Sequence, residues 1–246
     1  MSLRTTCILG TLFLFLASTS PVVAQWVPVS EKKGFGQSLD ATDGTVFVGD
    51  PDNTYRPGRV SVYERGSNGG WQHRTFLKAK DAQLDDRFGS SLDAEGGTLA
   101  VGAPAAGSVY VFRRRGSDGG WTQVGHVAPA DSTLGFGRSV EVSGGRLFVS
   151  ASKPTPGNAG DKKKKEKAGV VYVFKPQNES DWRKVATLQH AELSVGGDFG
   201  ATLLGRKDQL VVGAPEHEEG ALAVYSFQDG EWVPTQTLTA ENAAEG

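Results

Sequence analysis

Glu216-His217-Glu218-Glu219 sets one imidazole among three carboxylates within four residues. Such a donor set could meet a transition metal. Without further ligands nearby in sequence it reads as a solvated acidic loop. Asp50-Pro51-Asp52-Asn53 offers oxygen donors for a hard cation but too few for the six to eight that calcium takes. We read it as an Asx turn. Lys162-Lys163-Lys164-Lys165-Glu166-Lys167 is a dense positive run, able to steer an acidic partner such as a sulfated glycan and equally suited to an extended solvated loop. Arg113-Arg114-Arg115 is a second, smaller basic patch, and Asn178-Glu179-Ser180 is a glycosylation sequon. His73, His126 and His190 stand without paired ligands, as partly exposed structural residues. Asp85-Asp86 reads as a surface turn. There is no Gly-x-Ser-x-Gly elbow, no His-Glu-x-x-His helix and no P-loop, so no catalytic constellation is expected.

The elements that would carry these residues follow from composition. The chain has 246 residues, with 38% hydrophobic, 22% charged and 33 glycines. Many glycines between short apolar runs indicate short strands joined by turns, not long helices. A net charge of −2 gives no global reason to bind nucleic acid or an anionic membrane. Arg4 followed by the apolar run Cys7 to Ala17, with Val22-Val23-Ala24 ahead of Gln25, reads as a cleaved signal peptide over 1–24. The alternative is an uncleaved anchor. Cleavage removes the only cysteine, Cys7, leaving no thiol chemistry.

The chain repeats. Phe-Gly occurs at Phe35-Gly36, Phe88-Gly89, Phe136-Gly137 and Phe199-Gly200. At a constant offset of 14 residues past each Phe (35 to 49, 88 to 102, 136 to 150, 199 to 213) comes Gly49-Asp50-Pro51, Gly102-Ala103-Pro104, Ser150-Ala151-Ser152 or Gly213-Ala214-Pro215. A glycine and an alternating segment follow, at Gly58, Gly107, Gly169 and Gly220. Each copy then has one tryptophan, Trp71, Trp121, Trp182 or Trp232, read as packing within its own sheet. Each copy thus holds four short apolar segments, the first opening with Phe-Gly itself. They form an antiparallel meander that buries both faces only by stacking on its neighbours, as in a β-propeller.

These landmarks resemble the FG-GAP repeats of the integrin α-subunit propeller. The resemblance covers residues 34–246, with copy three departing at Ser150-Ala151-Ser152. It implies four-stranded blades over 34–86, 87–135, 136–198 and 199–246, with Phe and Gly wedged at every seam. Residues 25–33, with Trp26-Val27-Pro28 echoing Trp232-Val233-Pro234, form a candidate ring-closing strand. Family analogy suggests four blades of a seven-bladed ring. A shortened gene, a four-blade ring and an array that pairs with another chain are the alternatives. Integrin-like propellers hold calcium in an Asp-rich loop between the first two strands. Here that link is a tight turn retaining only Asp40 and Asp43, or Asp93 and Glu95, so no metal and no cofactor are carried over.

The expected function is a secreted or cell-surface module that binds protein or glycan and has no catalysis of its own. The alternatives are an accessory propeller of a larger secreted hydrolase and a structural matrix component. Loop length varies most between the Gly-Ala-Pro-like triplet and the third strand, with spacings of nine, five, nineteen and seven residues (49 to 58, 102 to 107, 150 to 169, 213 to 220). The candidate ligand-binding residues therefore lie there: Asp52, Asn53, Lys162, Lys163, Lys164, Lys165, Glu216 and His217. The expected partners are an extracellular protein or glycan, no nucleic acid, and further copies meeting open blade faces.

Overall fold

The computed structural model describes residues 34–52, 55–116, 120–130, 133–154 and 167–239. The chain divides into Met1–Ser30 and Glu31–Gly246. All described residues belong to the second unit. The expected signal peptide and the strand expected at 25–33 lie outside them.

Sixteen strands and no helix are found among the described residues, grouped into four antiparallel sheets in sequence order. Blade 1 holds β1 (Leu39–Thr42), β2 (Thr45–Asp50), β3 (Arg59–Arg65) and β4 (Trp71–Leu77). Blade 2 holds β5 (Ser91–Glu95), β6 (Thr98–Ala103), β7 (Ser108–Arg115) and β8 (Gly120–Val127). Blade 3 holds β9 (Val140–Ser143), β10 (Arg146–Pro154), β11 (Lys167–Pro176) and β12 (Trp182–Leu188). Blade 4 holds β13 (Leu203–Arg206), β14 (Gln209–Ala214), β15 (Ala221–Gln228) and β16 (Glu231–Thr239). The first strands β1, β5, β9 and β13 neighbour one another, so they form the inner edge of the array.

The second and third strands of the inner blades are buried on both faces, since a neighbouring blade covers each side. β6 is buried throughout. The pairing of third and fourth strands shifts by one residue at the same place in every blade, after Val62, Val111, Val173 and Val224. Such a bulge sharpens local twist and splays the outer strand. Because β16 is an edge strand, its Pro234 leaves no ladder donor wanting in the sheet.

The Phe-Gly pair lies in a turn just before the first strand, not within it as expected from the sequence. Its glycine takes φ of +85, +95, +88 and +88 in the four copies, a region an L side chain adopts only with strain. There the glycine N–H donates to the triplet's first carbonyl in its own blade: Gly36 to Gly49, Gly89 to Gly102, Gly137 to Ser150 and Gly200 to Gly213, at 2.9, 2.9, 3.0 and 2.9 Å. The Phe then turns toward the preceding blade. Phe88 joins one cluster with Phe47, Val60 and Leu77 of blade 1. Phe136 joins Val109 and Val127 of blade 2, and Phe199 joins Val171 and Leu188 of blade 3. Burying each such ring contributes about 2–3 kcal/mol. Phe35 departs from the expected wedge. It is exposed, because no described sheet packs on that face of blade 1.

The triplet glycine has a different task. A Cβ on Gly49 would lie 2.2 Å from the Gly89 carbonyl oxygen, and one on Gly102 would lie 2.0 Å from that of Gly137. The blades therefore touch backbone to backbone. The serines Ser38 and Ser91 seal the contact, donating to the Gly89 and Gly137 carbonyls at 2.7 Å each. Three of the tryptophans also reach across to the preceding blade, which the expectation of packing within one sheet did not include, while Trp71 is exposed and Trp232 packs on Phe227 of its own blade as well. Trp121 meets Phe47 of blade 1 edge-on at 5.0 Å, Trp232 meets Phe148 of blade 3 at 5.2 Å, and Trp182 shares a cluster with Ala100 of blade 2.

Gly102→Ala is expected to destabilise the protein by about 3 kcal/mol, as overpacking against a fixed backbone does. Gly70→Ala, whose Cβ meets only the Asn68 side chain at 3.4 Å or beyond, should stay within about 0.5 kcal/mol. Urea unfolding of the two variants checks the contrast.

Candidate functional site

The loops between second and third strands and the links between blades emerge on one face. Leu134 bridges to Ser152 and Ala168 to Val195, tying the ends of β10 and β11 to the links on either side of blade 3. Glu216 N–H donates to the Gly197 carbonyl at 3.2 Å, tying the blade 4 loop to the link before it. The hairpins joining first to second and third to fourth strands occupy the opposite face.

On the loop face, Asp52 accepts from Arg87 Nε at 3.2 Å and so joins blade 1 to the link entering blade 2. Asp50 is buried and pairs with Arg56 and Arg59 at 3.1 Å each, so this corner is ion-paired. Arg138 of blade 3 pairs with Asp198 and also donates to the Phe199 carbonyl at 3.0 Å. Glu216 and His217 sit in a turn closed by Gly220 N–H on the His217 carbonyl at 2.6 Å. Asp52 and Glu216 thus share a face but belong to blades 1 and 4, and the structure does not join them into one cluster. Asn53 and Lys162, Lys163, Lys164 and Lys165 lie outside the described residues.

On the opposite face, Asn178 is exposed, and its side-chain oxygen accepts from the Ser180 and Asp181 N–H groups at 2.9 and 2.8 Å. Beside it Glu179 takes both Arg115 nitrogens at 3.1 and 2.6 Å, linking the hairpins of blades 2 and 3. Arg114 lies 3.6 Å from Glu64. The expected basic patch of Arg113, Arg114 and Arg115 is therefore largely neutralised by inter-blade pairs.

The inner edge carries an acidic series that sequence reading passed over. Asp40, Asp93 and Glu141 occupy one position, five residues past the Phe of their copies. Each accepts from the backbone of the next blade's first strand. Asp93 takes the Val142 N–H at 2.6 Å and Glu141 the Gly205 N–H at 2.7 Å, and Asp40 faces the Ala94 backbone in the same way. Glu95 and Ser143 repeat the contact one step along, to Gly144 at 2.8 Å and Lys207 at 3.1 Å. Burial raises all three carboxyl pKa values, Asp93 to about 6 and Glu141 to about 8, with mutual repulsion adding to the effect in both. The signal was present in the constant five-residue offset, but only the stacked blades give those acids their partners. No group of three or more His, Cys, Asp or Glu able to hold a metal occurs among the described residues. An apolar groove of about 460 Å³ opens on blade 4, lined by Gly213, Leu222 and Leu238 among others.

Residues 71–112 match the sequence profile of the FG-GAP repeat. The chain carries an FG-GAP repeat. The matched stretch begins at Trp71 on β4 and ends at Phe112 on β7, so the sequence unit straddles the seam between blades 1 and 2. No curated protein is similar enough in sequence to count as a match. Among solved structures, a protein from Lactobacillus plantarum has a TM-score of 0.57 at 18% identity, covering 81% of this chain and 53% of that one. Hydrazine synthase of Kuenenia stuttgartiensis has 0.55 at 10%, covering 87% and 52%. The WD40 domain of Toxoplasma gondii coronin has 0.52 at 13%, covering 82% and 45%. At these identities the likeness is one of fold, the β-propeller. The chain spans about half the length of each.

An unfolded glutamate titrates near 4.5 and Glu141 is pushed up to about 8, so between those values the native array holds a proton that the unfolded chain has lost. Stability therefore falls as pH rises from about 4.5 to 8. Glu141→Gln keeps an acceptor for Gly205 and is expected to flatten that slope, measured as the urea midpoint against pH.

Proposed function

We propose that this FG-GAP propeller is a secreted or cell-surface binding module without catalysis of its own, and that it engages an acidic ligand, a sulfated glycan or acidic protein, through the loops between second and third strands. The observation that carries the reading is the emergence of those loops on one face. The same loops hold the largest length variation between repeats, from five to nineteen residues between triplet and third strand (102 to 107 against 150 to 169). Rigid strands with divergent loops are how repeat folds separate stability from recognition. The longest loop, in copy three, contains Lys162 to Lys165, and a run of four lysines attracts anionic polymers from a distance. The signal-like segment at residues 1–24 supports export, and the Asn178 sequon lies on the face away from these loops.

Replacing Lys162, Lys163, Lys164 and Lys165 together by serine is expected to weaken binding to heparin about tenfold, at a few tenths of a kcal/mol per exposed contact. Wild-type binding should fall steeply with salt. Elution from immobilised heparin along a salt gradient checks both. A wild-type protein that passes through unretained at low salt refutes the glycan reading.

A further inference from the structure

Three seams between blades are filled in the same way, and the two outer faces present the two halves of a fourth. The leading face of blade 1 exposes Phe35 at 60%, Leu39 at 64% and Trp71 at 52%. Their counterparts at the filled seams pack against the preceding blade: Phe88, Phe136 and Phe199 are fully buried, and Leu92 and Val140 nearly so. The trailing face of blade 4 exposes Leu222 at 40% and Leu238 at 41%. The residues at those positions in blades 1 to 3, Val60, Val109 and Val171 with Leu77, Val127 and Leu188, are the ones that receive each Phe, and all six are buried. The apolar groove of about 460 Å³ on blade 4 is therefore a socket of the kind that holds Phe88, Phe136 and Phe199.

The polar parts correspond as well. Gly36 already has the φ of +85 that the other Phe-Gly turns use. A Cβ there would meet nothing within 4 Å, whereas Gly89 and Gly137 lie against the preceding blade. On the other side Gly213 stands where Gly49 and Gly102 allow close approach, and Thr202 stands where Ser38 and Ser91 donate to the next glycine carbonyl. At the inner edge, Arg206 occupies the position of Glu95 and Ser143, which reach Gly144 and Lys207. The residue in register with Gly144 and Lys207 on blade 1 is Asp43, so this non-equivalent contact is complementary in charge, while Leu204, at the position of Asp93 and Glu141, supplies no acceptor at the new seam.

We propose that the trailing face of blade 4 is an interface for the leading face of blade 1 of a second copy of this chain, Phe35 filling the socket between Leu222 and Leu238 and Arg206 meeting Asp43. Two copies joined head to tail at both ends close a ring of eight blades, leaving no open face.

Sedimentation velocity of the full chain at about 50 μM is expected to give twice the chain mass, an interface of packed aromatic anchors being stable at that concentration. Phe35→Asp and Leu222→Asp should each give monomers, with near-ultraviolet circular dichroism unchanged because both positions are exposed in the single chain. Mixing the two variants restores one intact seam and should give a heterodimer. Arg206→Asp is expected to weaken the dimer about tenfold, and adding Asp43→Arg to the same chain should recover it. A monomeric wild type, a dimer that survives both Phe35→Asp and Leu222→Asp, or growth into open filaments would each overturn the proposal. A monomeric wild type that still binds heparin would leave the loop-face reading standing.

Discussion

The structure depends on one contact: the backbone of one blade lying against the backbone of the next. At Gly49 and Gly102 there is no room for even a β-carbon beside the facing carbonyl oxygen. Close approach brings the two sheets near enough for the Phe ring of one to reach the valines and leucines of the other. The same approach sets the Trp121–Phe47 and Trp232–Phe148 contacts further out. Ring contacts within a sheet, such as Phe88 on Tyr110, cover only part of each ring, and the neighbouring blade completes its burial, so the blades are stable as a stack.

Tolerance at the seam is graded. Copy three replaces the triplet glycine with Ser150, whose hydroxyl accepts from the Ser139 N–H at 3.0 Å within its own blade. There Arg138 takes over the seam, crossing to Asp198 and the Phe199 carbonyl. A guanidinium with several donors bridges the contact that elsewhere a serine hydroxyl closes. The inner edge follows the same logic with acids. A carboxylate that accepts a backbone N–H from the next blade fixes the register between sheets, at the cost of crowding Asp93 and Glu141 together in a desolvated row.

Polar chemistry in the described part of the molecule is largely spent on assembly. Asp52 and Arg87 hold a link, Glu179 and Arg115 join two hairpins, and Glu141 joins two strands. Residues that attract notice in the sequence by type alone, such as Arg114 and Arg115, turn out to be paired across blades. What remains for recognition is the loop face, where repeats differ most in length.

Sequence alone determined the repeat, the four strands per copy, the tight first hairpins and the all-β class. Each rests on local chemistry: a glycine that must take positive φ, a proline that ends a strand, an alternation that ends at a turn. It also marked Phe88, Phe136 and Phe199 as seam residues, and it misjudged Phe35, because exposure depends on whether a neighbour is present. Tertiary structure alone decided that Trp121, Trp182 and Trp232 reach the preceding blade, that Asp52 serves an ion pair and that Asp40, Asp93 and Glu141 form one series. Those outcomes involve partners 35 to 84 residues away in the chain (52 to 87, 148 to 232), and a side chain's spacing says nothing about which distant backbone will come to face it.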